Sequence, residues 1–312
     1  MLAPLDNYEH VLWASQVYIP LNELDSKDKF GIFHCVHDEG HDRLYFTLTN
    51  PHRGNIYYID FADVVPDEKD FFMFSASTKS KSLKHIELKV FTPNSVTGDR
   101  QFWGMAVDQE RRLLYAGSTK DITVWSLDIQ DPTNANEIGT MLIDSIACDD
   151  IVDCSPVEPR YLAFTTVGIP KLAIADYLNN KVCAFFFEKE TFPQSRPEKL
   201  FVPNIEAKVL VAYKTNEQMP ADLGSVYGPC ELTFDSTGNV LVAEASNKRI
   251  QIFSFRRDNK VREQQQMVQY TSRCNWTSDR IDGGAYRLNI VRGIVPMMVV
   301  AQQGRADVLC FQ

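Results

Sequence analysis

Short apolar runs, bounded by clusters of turn-forming polar residues, recur along this chain. The clearest stretch is Pro229-Cys-Glu-Leu-Thr-Phe-Asp235, then Ser-Thr-Gly-Asn239, then Val240-Leu-Val-Ala-Glu244, then Ala-Ser-Asn-Lys-Arg249, then Ile250-Gln-Ile-Phe-Ser-Phe255. That reads as three β-strands joined by one tight and one longer polar turn. The same grammar returns over Tyr161–Thr166, Lys171–Asp176 and Val182–Phe187, and over Trp103–Asp108, Leu113–Gly117 and Ile122–Leu127. Weaker copies are Ile32–Val36, Leu44–Leu48 and Ile56–Ile59, and Leu288–Val291, Met297–Ala301 and Asp307–Phe311. The third runs open at Ile56, Ile122, Val182, Ile250 and Val308, at intervals of roughly 60 residues, a period that marks a repeat architecture.

Each unit leaves room for a fourth strand, at His85–Phe91, Glu137–Ile143, Lys208–Tyr213 and Glu263–Tyr270. The fifth unit ends with the chain, while a β-rich stretch, His10–Ile19, stands unassigned at the other end. Docking that stretch as the missing outer strand closes a ring with no free sheet edge. The expectation is an all-β, single-domain β-propeller of five four-stranded blades: 31–92, 101–144, 160–214, 228–271, and 286–312 completed by 10–19.

The unit Asp235…Asn247-Lys248-Arg249-Ile250…Phe253 resembles the NHL repeat, as does Asp176…Asn179-Asn180-Lys181-Val182, while Asp121-Ile122-Thr123-Val124-Trp125 is more similar to a WD-type blade ending. The likeness covers about half the chain. NHL propellers usually have six shorter blades, so a sixth blade within Ala62–Gln101 or Ala184–Gly228 stays open. The resemblance also implies recognition of single-stranded RNA on one face, as several NHL propellers do.

Composition narrows the classes. The 312 residues are 44% hydrophobic and 23% charged, which excludes a disordered, collagenous or coiled-coil chain. No apolar run is long enough to span a bilayer as a helix, and the N-terminus has no secretory signal pattern, so no membrane role is expected. An odd count of seven cysteines then points to free thiols and a cytoplasmic protein. On that reading the triplet Asn275-Trp276-Thr277 is coincidental.

Candidate chemistry is sparse. His34-Cys35-Val36-His37-Asp38-Glu39-Gly40-His41-Asp42 holds three of the six histidines, but alternation sends His34 and His37 to opposite faces, so a polar turn is the better reading than a metal site. Cys148-Asp149-Asp150-Ile151-Val152-Asp153-Cys154 lacks calcium-loop spacing and reads as an acidic loop. Nucleophile-elbow, phosphate-loop, zinc-protease and dinucleotide motifs are absent from the sequence. No five equivalent positions converge on acids or asparagines that would hold an axial metal. No catalytic residue, metal or cofactor is therefore expected, with a metal-dependent hydrolase or lyase the least favoured alternative.

In a propeller the second-to-third turns and the links into each first strand open on one face. The turns supply Arg53, Lys120, Lys181, Lys248, Arg249 and Arg305, and the links supply Arg100, Trp103, Tyr161, Tyr227, Tyr286 and Arg287. The expected function is a recognition platform for a protein or peptide partner on this basic, aromatic face. Single-stranded RNA is the alternative, since it needs cations along its backbone and flat side chains under its bases. The formal net charge of −9 opposes a polyanion at long range.

Overall fold

Alternating apolar runs become strands in the computed structural model, and the turn signals between them become chain reversals. The structure describes residues 32–48, 56–60, 89–91, 101–118, 121–127, 137–142, 159–178, 180–187, 207–212, 223–258, 269–278, 281, 284–291, 297–302 and 308–311. Within them the strands are β1 (Ile32–Asp38), β2 (Arg43–Leu48), β3 (Ile56–Asp60), β4 (Lys89–Val90), β5 (Met105–Asp108), β6 (Leu113–Gly117), β7 (Asp121–Ser126), β8 (Glu137–Leu142), β9 (Tyr161–Thr165) and β10 (Lys171–Asp176). They continue as β11 (Lys181–Phe186), β12 (Ala207–Ala212), β13 (Pro229–Phe234), β14 (Val240–Glu244), β15 (Arg249–Asp258), β16 (Gln269–Thr277), β17 (Ala285–Val291), β18 (Met297–Gln302) and β19 (Val308–Phe311). Five antiparallel meanders result among the described residues: β1-β2-β3-β4, β5-β6-β7-β8, β9-β10-β11-β12, β13-β14-β15-β16 and β17-β18-β19.

Third strands open at, or one residue before, each expected apolar position. The fourth strand of the fourth sheet departs from expectation, running Gln269–Thr277 rather than Glu263–Tyr270. Its partner β15 is ten residues long, and their ladder runs from Asp258↔Gln269 to Gln251↔Thr277. Asn275-Trp276-Thr277 therefore ends this outer strand. His10–Ile19 lies outside the described residues, as do Cys148–Cys154 and most of both segments considered for a sixth blade. The described parts of those two segments include β4, the end of β11 and β12.

The turns share a device. Asp42, Arg112, Asn180 and Lys248 have φ of 52°, 57°, 52° and 54°, and each stands four residues after a fully buried acid: Asp38, Asp108, Asp176 and Glu244. At Asp38 and Asp108 the acid caps the turn from within by Asx-turn chemistry. Asp38 accepts from the Gly40 amide at 3.0 Å, and Asp108 from the Glu110 and Arg111 amides at 3.1 and 3.0 Å.

The core lies in layers between sheets. Tyr45, Ile56, Tyr58 and Phe91 of the first sheet face Met105, Leu114, Ala116 and Trp125 of the second. The second sheet's other face carries Tyr115, Ile122 and Val124 onto Leu172, Ile174, Phe185 and Phe187 of the third. Leu114 and Tyr115 thus serve opposite layers, as a period of two dictates. The third layer sets Ala173, Ala175 and Val182 against Val240 and Val242. At Gly104 and Gly117 any Cβ would collide with the backbone of Arg160 or Pro159, so these glycines let the second sheet abut the lead-in to β9.

Tyr115 is completely buried, and its hydroxyl has no hydrogen-bond partner. Tyr115→Phe is therefore expected to stabilise the protein by about 1 kcal/mol, measured by denaturant unfolding; a loss of stability would contradict the packing described.

Candidate axial binding site

The first strands of consecutive sheets, β1, β5, β9, β13 and β17, run beside one another along an axis. Each pairs with a second strand whose penultimate residue is small: Thr47, Ala116, Ala175, Ala243 and Ala301. The residues opposite these are His34, Met105, Tyr161, Glu231 and Arg287. These are five ladder positions near the same ends of the first strands, one from each sheet, with Met105 on the opposite face of its sheet from His34 and Tyr161. Bulges between Ile32 and His34, Pro229 and Glu231, and Ala285 and Arg287 shift the register in three of the five strands, and turns of unequal length conceal the column further.

The five positions meet. The Met105 amide donates to His34 Nδ1 at 3.3 Å, which leaves the imidazole proton on Nε2, facing Glu231 Oε1 at 3.3 Å. Glu231 Oε2 lies 3.5 Å from Arg287 Nη1, and Arg287 Nη2 also donates to the Phe33 carbonyl. The Arg287 guanidinium lies 5.6 Å from the Phe33 ring centroid and 5.2 Å from that of Tyr161. Phe33 stacks on Tyr161 at 5.2 Å and meets Trp103 edge-on at 5.1 Å. Arg160 covers Trp103 at 4.9 Å and lies 6.0 Å from the Tyr177 ring. Two guanidiniums and a chain of aromatic rings thus crown one buried acid.

Burial governs the titratable groups here. It lowers Arg287, but Glu231 and Tyr161 outweigh it and hold the guanidinium charged. Burial raises the Tyr161 phenol although Arg287 opposes this. It also raises the Cys35 thiol and pushes Cys230 up to about 12. Cys230 Sγ donates to the Ala285 carbonyl at 2.8 Å. Neither thiol is a thiolate at neutral pH.

The residues expected on the binding face are divided by the structure. Trp103, Tyr161 and Arg287 come together in the crown, with Tyr286 at the bulge beside Arg287. Lys181 and Arg249 are instead buried at the starts of β11 and β15. They stand opposite Asp176 and Glu244 in the ladders. Arg249 donates to Glu244 Oε1 at 3.1 Å and to the Ser225 carbonyl at 2.8 Å. Glu244 further accepts from the Tyr227 amide and from Gln251 and Asn247, yet burial outweighs Arg249 and raises its pKa. Lys248 is half-buried, and its carbonyl accepts from the Ile281 amide at 2.6 Å. Arg53, Lys120, Arg100 and Arg305 lie outside the described residues. His34, Glu231 and Phe33 were missed because they sit inside strands, where only their register reveals them.

No family model matches this chain, and no curated protein sequence matches it. Solved structures do. The β-propeller domain of Myceliophteria thermophila Cps50 (Swd1) aligns with TM-score 0.52 at 9% identity, over 91% of this chain and 70% of that one. Nidogen in a nidogen/laminin complex aligns with TM-score 0.46 at 11% identity, over 89% and 74%. Virginiamycin B lyase from Staphylococcus aureus aligns with TM-score 0.45 at 11% identity, over 90% and 66%. At such identities the Cps50 match speaks to the fold alone, and with the stacked meanders it shows that this chain is a β-propeller.

Proposed function

We propose that this propeller is a non-catalytic recognition platform that binds a protein or peptide at its axial crown. The observation that carries the reading is the packing of Phe33, Trp103, Tyr161 and Arg287, from the first strands of four described sheets or their lead-ins, into one aromatic and cationic cluster. Such a site is held by the scaffold rather than by single loops, which favours a preorganised contact surface. The axial groups are poorly suited to catalysis. Both His34 nitrogens are engaged by the protein, and burial keeps Cys230 and Tyr161 protonated. We further infer a cytoplasmic chain with five blades, the last completed by His10–Ile19. In the NHL-like units, the basic residue after Asn would serve as the partner of the acid across the ladder, as Arg249 does for Glu244.

Affinity capture from cell extract with wild type, Arg160→Ala and Arg287→Lys tests this. At least one protein recovered by the wild type is expected to fall ten-fold or more with both variants, each checked for native circular dichroism. Identical capture profiles would remove the crown as the binding surface. RNA is less well supported, because Lys181 and Arg249 do not offer exposed cations along a track.

A further inference from the structure

We propose that His34 is a proton-sensitive fastening of the crown: its neutral form ties β1 to β5 and β13, and a proton taken up at Nδ1 breaks the tie to β5 and loosens Phe33. The proposal rests on the crown being the binding surface and adds control by pH to it. The imidazole is only 8% exposed and touches three other sheets. Its Nδ1 accepts from the Met105 amide of β5, and its Nε2 faces Glu231 of β13, both at 3.3 Å. Its ring meets that of Tyr161, on β9, edge-on at 6.4 Å. A neutral imidazole has one acceptor and one donor nitrogen, and both are engaged here.

An imidazolium has two donors and no acceptor. A proton on Nδ1 therefore sets N–H against the Met105 N–H and takes away that amide's acceptor, at a residue that is completely buried. The contact to Glu231 becomes charge-assisted at the same moment and draws the ring the other way. The charged and titratable groups around the ring are Glu231 from β13, with Cys230 next to it in the chain, Arg287 from β17 and Tyr161 from β9; β5 offers the Met105 amide, and Cys35 follows on β1 itself. Glu231 already faces Arg287 at 3.5 Å, so a second cation leaves this group one positive charge in excess.

Phe33 carries the change to the crown. The β1–β2 ladder passes from Ile32↔Leu48 to His34↔Thr47, so Phe33 has no ladder partner of its own. It is held by the Arg287 donation to its carbonyl, by its ring contacts with Tyr161 and Trp103, and by His34 beside it. An imidazole that leaves β5 for Glu231 turns the bulge on which Phe33 sits. A partner that rests on Phe33 then binds more weakly as the proton is taken up, and by linkage a bound partner holds the proton off.

The test is NMR of the whole chain carrying nitrogen-15 in its histidines and methionines, between about pH 7.5 and about pH 5.5, the range in which imidazoles commonly titrate. His34 is expected to pass from one protonated nitrogen to two. Exchange protection of the Met105 amide should fall roughly ten-fold or more with the same midpoint. His34→Gln keeps an acceptor and a donor but does not titrate, so its Met105 amide should stay protected at both ends; the coincidence of the two wild-type midpoints needs no variant. Equal protection at both ends, an equal loss in His34→Gln, or a His34 that keeps one protonated nitrogen throughout overturns the proposal. The capture experiment repeated at both pH values separates it from the platform. If the Met105 amide responds while no captured protein depends on Arg160 or Arg287, the binding surface falls and the fastening stands. If capture depends on both arginines yet is the same at both pH values, control by pH falls and the platform stands.

Discussion

Replacing Arg112 by alanine is expected to cost about 3 kcal/mol of stability, seen as a fall of roughly 6 °C or more in Tm. Asp38 closes β1 with a carboxylate that has no solvent exposure. Arg112, from the β5–β6 turn of the next sheet, reaches both its oxygens, with Nη2–Oδ2 at 2.8 Å, and His41 Nδ1 lies 3.0 Å from Oδ2. Gln109 ties the same two turns, donating to the His37 carbonyl at 2.7 Å and accepting from the Glu39 amide. Burial alone would raise the Asp38 pKa, but Arg112 and His41 outweigh it and hold the carboxyl below its ordinary range.

The sign of the pH dependence follows. A carboxylate with a depressed folded pKa contributes stability above its unfolded value, about 3.9, and that contribution is lost as pH falls through the folded value. Without Arg112, burial is opposed less and the Asp38 pKa rises. The gap between wild type and Arg112→Ala should therefore be widest near neutral pH and narrow below about pH 4. Denaturant unfolding at pH 7 and pH 3.5 reads it directly, and a pH-independent gap would refute the assignment.

Arg287→Ala is expected to destabilise by about 2 kcal/mol, less than a fully buried pair because the guanidinium is partly solvated. The loss comes mainly from stranding Glu231, so the same substitution made on a Glu231→Gln background should cost less than about 1 kcal/mol. A double-mutant cycle that shows full additivity would mean that the axial pair is not coupled.

Much of the fold was legible because side-chain alternation and turn chemistry act locally. Ile122, Val182 and Ile250 mark their strands from neighbours a few residues away. The fourth strand of the fourth sheet was misplaced because the length of β15, rather than any apolar run at 263–270, sets where its partner pairs. The binding surface was legible only in part. Trp103, Tyr161 and Arg287 could be assigned to one face from strand order. The burial of Arg249 depends on Glu244 standing opposite it in the ladder, and cross-strand register is not visible in composition. His34 and Glu231 were hidden for the same reason, their column broken by single-residue bulges.

The layers between sheets are unequally filled. Phe164, Phe185, Phe187 and Tyr115 thicken the gap between the second and third sheets, while Ala173, Ala175 and Ala243 lie in the next. Unequal wedges cannot be superposed by rotation, so the molecule has a built-in compass. A molecule bound at the hub would meet arginine on some bearings and tyrosine or tryptophan on others.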